Sequence, residues 1–166
     1  MPNVAVRRLA ASLTALAILG IFPSALAQDK PVVTYPCRGF DEPMQRSPQQ
    51  ISRGRVLPLR AKLVLPGGGF CDRNTVQAPP ALTLKFRPEG GAEVDKTAGM
   101  EVRDYGKGNR FVWDDEAHWK FDLGTKSLED AGKYQVRLVS GDEAEYKVDP
   151  SCTLTFILRG GEKGGE

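Results

Sequence analysis

The side chains most capable of chemistry stand together in WDDEAHW, residues 113–119. Asp114, Asp115, Glu116 and His118 offer oxygen and nitrogen donors of the kind that hold Ca²⁺ or Zn²⁺, or that act as general acid and base. His118 is the sole histidine of the chain, which excludes a zinc site built from several histidines of this protein. Consecutive acids on an extended segment point to opposite faces, which spoils a shared cage. The stretch therefore reads as the polar tip of a hairpin between two core-facing aromatics, Trp113 and Trp119. No catalytic residue, metal ligand or cofactor is assigned, and the chain is not expected to be an enzyme. A small secreted hydrolase, or an inhibitor of one, using acids near 114–118 with or without a metal is the alternative.

Other chemistries find less to work with. No G-x-S-x-G nucleophile elbow occurs, and a Cys–His pair would require an unpaired thiol beside His118. A glycosidase needs two carboxylates across a cleft, and nothing in the pattern singles out a pair. PGGGF (66–70) follows a strand, but no helix comes after it and no Lys-Ser/Thr closes it, so it fails as a phosphate loop and reads as a turn.

The elements that must position these residues are strands. Long helical periodicity is absent after residue 27, and period-two alternation recurs instead. RVLPLRAKLVL sets Leu57, Leu59, Ala61, Leu63 and Leu65 on one face. ALTLKF does the same with Leu82, Leu84 and Phe86, and HWKFDL with Trp119, Phe121 and Leu123. YQVRL adds Tyr134, Val136 and Leu138, and CTLTFIL adds Leu154, Phe156 and Leu158. Further strands are expected near PVVTY and near 98–103. Breaker-rich turns separate the runs at 66–70, 88–92, 104–109, 123–132 and 140–150. Seven or eight short strands with one wet face per sheet predict an all-β sandwich. Pro58 inside a strand predicts an edge or a bulge, because proline cannot donate to the ladder.

The N-terminus carries an address. Arg7 and Arg8, the apolar run LAASLTALAILGIF and a small-x-small site at 25–27 form a secretory signal peptide over residues 1–27. The run is shorter than the roughly 20 residues of a spanning helix, so no membrane span is expected after cleavage. The domain then covers 28–159, and the Gly/Glu tail 160–166 has nothing to bury and is expected to be disordered. Removing Arg7 and Arg8 from 23 Lys+Arg leaves 21, against 21 Asp+Glu. Neutral balance argues against a nucleic-acid partner. Cys37, Cys71 and Cys152 all lie in the exported part, so one disulfide is expected, with one thiol left over to remain free or to link two chains.

DAGKYQV (130–136) resembles the start of strand F in immunoglobulin-like domains. There the tyrosine hydroxyl bonds back to the backbone at a corner, a role the resemblance gives to Asp130, Gly132 and Tyr134. Val136 stands where an antibody domain carries its second core cysteine. In that lettering RAKLVL is strand B, ALTLKF strand C, KYQVRLV strand F and CTLTFIL strand G. The B–C loop (66–80) and the F–G loop (140–151) then emerge at one end of the sandwich. This order favours a Cys71–Cys152 bridge tying the two loops, with Cys37 as the alternative partner of either cysteine.

Four further segments, YPCRGFDEPM (35–44), QISRGRVLPLRAKL (50–63), FVWDDEAHW (111–119) and WKFDLGTKSLEDAGKYQVRL (119–138), are similar to the bacterial PxKF domain family of exported β-sandwich modules. The P-x-K-F core itself reads Pro58-Leu59-Arg60-Ala61, and Cys37 stands at an aromatic position of the family pattern. The resemblance implies export and an immunoglobulin-like β-sandwich of seven to eight strands, and it brings no catalytic residues.

The expectation is thus a non-catalytic binding module, periplasmic or extracellular, whose partner is a protein or a cell-envelope polymer. Phe70, Arg73 and Tyr146 in the two long loops are the candidate contact residues.

Overall fold

The computed structural model of the protein describes residues 31–114 and 116–159. The signal peptide expected at 1–27, the tail at 160–166 and Asp115 lie outside the described residues. The strands in chain order are β1 (Val33–Thr34), β2 (Cys37–Phe40), β3 (Gln49–Ser52), β4 (Val56–Leu63), β5 (Ala81–Arg87) and β6 (Val94–Asp95). They continue with β7 (Glu101–Val102), β8 (Val112–Trp113), β9 (Trp119–Gly124), β10 (Gly132–Val139), β11 (Tyr146–Lys147) and β12 (Thr153–Arg159). The one helical element described is a 3₁₀ turn at Thr97–Gly99, and no helix among the described residues is long and apolar enough to cross a membrane.

Two sheets form the body. One runs β2-β4-β9-β7, with β8 also on β9, and the other runs β3-β12-β10-β5-β6. Strands B, E and D of the immunoglobulin-like order correspond to β4, β9 and β7, and strands C, F and G to β5, β10 and β12. All three central pairings (β4 with β9, β10 with β5 and β10 with β12) are antiparallel, so the chain is an immunoglobulin-like β-sandwich. β3 adds in parallel to β12, and a small parallel pair, β1 with β11, joins the N-terminal segment to the F–G loop.

The alternation read from the sequence places the core. Leu57, Leu59, Ala61 and Leu63 of β4 stand opposite Leu123, Phe121 and Trp119 of β9 and Cys37 of β2, all inward. Phe86, Tyr134 and Phe156 stack across the facing sheet, with centroids 4.8 and 5.2 Å apart. Each such fully buried apolar side chain contributes about 1.5–3 kcal/mol. Pro58 sits where β4 is an edge. The Arg60 carbonyl accepts the Asp41 N–H at 2.8 Å, so that side of β4 faces away from β9. Pro58, two residues earlier, faces the same way, past the end of the β2 pairing.

At the E–F corner the Tyr134 hydroxyl donates to the Asp130 carbonyl at 2.8 Å. Gly132 makes the approach with φ +149°, and a Cβ there would lie 2.8 Å from the Phe86 ring. Five strands went beyond the sequence reading: β2, β3, β6, β8 and β11. Three of them are two residues long, β2 is CRGF and β3 is QQIS, all too short or too polar for a period to register.

The disulfide joins Cys37 to Cys152, with Cα atoms 5.2 Å apart. This corrects the Cys71–Cys152 pairing favoured above. β2 runs beside β4 with Cys37 opposite Leu63, and Cys37 N–H reaches the Pro150 carbonyl at 2.9 Å, so the first cysteine already lies against the start of β12. Cys71 is free and 0% exposed. The odd cysteine expected to remain free or to link two chains is thus Cys71, and its thiol is buried in this fold.

Candidate functional site

Two places concentrate functional side chains. The first is the β8–β9 hairpin. Asp114 Oδ1 accepts the N–H groups of Glu116 and His118 at 3.1 and 2.8 Å, a local turn of the kind Asp side chains favour. The turn brings donor atoms of Asp114, Glu116 and His118 within 4.8 Å of one another. These three are alternate residues, and Asp115, the acid between Asp114 and Glu116, lies outside the described residues.

The cluster already holds a cation. Lys120, 8% exposed, reaches out of β9 to pair with Asp114 Oδ2 and, at 3.5 Å, with Glu116. Its ammonium also lies 5.2 Å from the centroid of the Tyr105 ring. A divalent ion would have to displace this ammonium and leave it buried without partners, a costly exchange. His118 stands on the other side, with Nε2 2.9 Å from Asp41 Oδ2 and Nδ1 3.8 Å from Asp114 Oδ1. Asp41 follows β2, so the histidine links that strand to the hairpin. The Cys–His pairing weighed above is not formed. The ring of His118 faces Asp41 and Asp114, while burial, with Asp72 and Glu145 nearby, pushes the Cys71 thiol up to about 12. A neutral buried thiol is not a nucleophile. The arrangement is an ionic clasp on the outside of the sheet.

The second place is the end of the sandwich where the B–C and F–G loops meet. Glu145 accepts the Gln77 N–H at 2.6 Å and the Ala78 N–H at 2.9 Å. The Tyr146 hydroxyl donates to the Ala78 carbonyl at 2.9 Å and accepts the Gly141 N–H at 3.0 Å. The tie between these loops is therefore made by a carboxylate and a phenol instead of a disulfide. A turn opened by Asp142 presents both residues, since its carbonyl accepts the N–H groups of Glu145 and Tyr146.

Tyr146 is 1% exposed and packs against Tyr35, with centroids 5.7 Å apart. Burial raises its hydroxyl to about 12. Its expected role as a contact residue is corrected: its side chain turns inward because β11 pairs with β1. Phe70 and Arg73 are exposed. Phe70 lies beneath the Lys62 ammonium, 5.0 Å from the ring centroid. The glycines before it close a hairpin, with Leu65 N–H on the Gly69 carbonyl and φ of +89° and +84° at Gly68 and Gly69, a conformation glycine adopts freely. PGGGF is thus a turn that carries Phe70. Beyond it, Asp72 accepts the N–H groups of Asn74 and Thr75, and hydrogen bonds, first that from the Thr75 hydroxyl, hold its carboxyl below the usual range. Trp119 Nε1 anchors the loop by donating to the Cys71 carbonyl at 2.9 Å. Sequence reasoning missed Glu145 and Trp119 Nε1 as loop anchors, because nothing local marks a carboxylate that caps amides 67 and 68 residues away.

Among protein-family models none matches this chain, and no curated protein matches it. Among solved structures it is similar to the Lin-41 filamin domain, at 12% identity over 69% of this chain and 86% of that one, with a TM-score of 0.36. It is also similar to domains 4 and 5 of the S-layer protein SbsC, at 7% identity over 75% of this chain and 53% of that one, with a TM-score of 0.38. A third similar structure is the titin Ig tandem A164-A165, at 15% identity over 74% of this chain and 49% of that one, with a TM-score of 0.33. The chain spans about half the length of the latter two.

Proposed function

We propose that this protein is an exported, non-catalytic interaction module of the bacterial cell envelope or exterior, related to the PxKF domain family, and that it binds its partner at the B–C/F–G end. The observation that carries this reading is the Glu145 and Tyr146 tie. It holds two long loops in one arrangement before any partner arrives, while Phe70 and Arg73 stay exposed. Preorganised loops lose less entropy on binding than free ones. An exposed aromatic and an exposed arginine in one loop are also the composition that anchors interfaces. The intramolecular disulfide is compatible with an oxidising compartment. The partner is a protein or a cell-envelope polymer. The hydrolase alternative finds less support, since Lys120 occupies the centre of its acid cluster.

A photo-crosslinking side chain placed at position 70 or 73 in living cells tests the reading. Adducts at those two positions, and none at Lys126 in the turn after β9, are expected. Equal labelling at all three positions, or no labelling at 70 and 73, would place the site elsewhere. Intact mass of the exported protein adds the second check: a chain starting at Gln28, with one disulfide and one free thiol.

A further inference from the structure

The overall charge balance conceals a segregated face. On the outer side of the β3-β12-β10-β5 sheet, alternation sends out Thr83, Lys85 and Arg87 from β5, and Lys133, Gln135 and Arg137 from β10. Thr153, Thr155, Ile157 and Arg159 of β12 complete it, with Gln50 and Ser52 of β3 at the edge. Five cations stand at these outward positions, and the fifth strand of the sheet, β6, sets Asp95 directly opposite Lys85. The flanking acids are on and beside β6, where Glu93 lies 2.7 Å from Lys85 and 3.4 Å from Arg87.

The register makes the crowding specific. Lys133 is directly opposite Arg87, Gln135 opposite Lys85, and Arg137 opposite Thr83. Lys133 with Arg87 is the one like-charge pair directly opposite, while Glu93 offsets charge at Lys85 and Arg87 and leaves Lys133, Arg137 and Arg159 without a salt-bridge partner among the described residues. A shallow depression sits at its β5–β10 side, lined by Lys85, Arg87, Glu93, Lys133, Tyr134 and Gln135.

We infer that this face binds an anionic polysaccharide, a glycan bearing carboxylate or sulfate groups. The cations recur at about 6.6–6.8 Å along a strand and about 4.8 Å between strands, a grid suited to a chain of repeated negative groups. Between them Thr83, Gln135, Thr153 and Thr155 offer donors and acceptors for sugar hydroxyls. The chemistry of the face disfavours other polyanions and partners. The one ring that lines the depression, Tyr134, is buried against Phe86 and Phe156, so the face offers no free ring on which bases stack and no exposed aromatic anchor of a protein interface. Ile157, 38% exposed, is its one large exposed apolar group, too little to insert into a membrane surface. This inference adds a second surface to the loop-end reading and does not depend on it.

The test titrates the purified protein with polygalacturonate, alongside neutral dextran, a single-stranded oligonucleotide and phosphatidylglycerol vesicles. Polygalacturonate is expected to bind, with affinity falling as salt rises, and dextran is not. The double substitution Lys133→Glu/Arg137→Glu is expected to weaken binding at least tenfold. Its new glutamate at 133 faces Arg87 attractively, so the fold is retained, which an unchanged melting temperature verifies. Phe70→Ala/Arg73→Ala is expected to leave polygalacturonate binding intact, which separates this surface from the loop end. Equal binding by the charge-reversed protein would overturn the proposal, as would equal affinity for dextran, or tighter binding of the oligonucleotide or the vesicles.

Discussion

Glu145 Oε2 accepts the Ala78 backbone N–H at 2.9 Å, and with the Gln77 N–H on its other oxygen the carboxylate joins the two longest loops of the sandwich. Hydrogen bonds to a charged group are stronger than neutral ones, and this pair spans two loops that share no ladder. Glu145→Ala should therefore destabilise the protein by about 1–2 kcal/mol, read by urea unfolding. It should also increase hydrogen exchange at Gln77 and Ala78 while leaving the strands protected. An unchanged exchange pattern would mean that the loops hold each other by other contacts.

The Cys37–Cys152 bridge closes a separation of 115 residues. Cys152→Ser should cost about 2–5 kcal/mol, whereas Cys71→Ala, which only trims a small buried side chain, should cost about 1 kcal/mol. Native alkylation should leave Cys71 unlabelled, and denaturation without reductant should expose one thiol. Two labelled cysteines in the non-reduced protein would contradict the pairing.

Alkaline pH should weaken the fold through the same cysteine. Its ordinary value is 9.0 and burial raises it to about 12. Between those values the unfolded chain loses the thiol proton while the folded chain keeps it, so stability is full below about pH 9 and declines as pH rises towards 12. Tyr146, raised from 10.0 to about 12, adds to the decline over the upper part of that range. Cys71→Ala should flatten the slope in a pH series of melting temperatures, and Tyr146→Phe should flatten its upper part.

Lys120→Met should leave the Asp114 carboxylate buried without its cation and cost about 2–4 kcal/mol, seen as a lower melting temperature. In the unmodified protein, millimolar calcium or zinc should leave the melting temperature unchanged, because the ammonium already holds the acids. A rise with either ion would restore the metal reading of the hairpin.

How much could be read from the sequence followed the range of the forces involved. Alternation placed Leu57, Leu59, Phe121, Val136 and Leu154 inward because burial acts at every second residue of a strand. DAGKYQV marked the corner because Asp130 and Tyr134 are four residues apart and bond locally. The partner of Cys152, the inward turn of Tyr146 and the carboxylate tie of Glu145 escaped because each depends on a pairing across the fold, β2 with β4, β11 with β1, or one loop with another. Lys120 stands on the outer face of β9, opposite in phase to Trp119 and Phe121, and its burial comes from contacts that alternation does not encode, with Tyr105, Asp114 and Glu116. The basic face escaped as well, since whole-chain charge averages away what alternation and register gather on one side.

The most direct test is the retention of envelope components by immobilised protein, comparing the unmodified chain with Phe70→Ala/Arg73→Glu under conditions where both are folded. A saturable ligand held by the former and released at least tenfold more readily by the latter is the predicted result. Equal retention of the same ligand by both proteins would contradict a binding site at the B–C/F–G end.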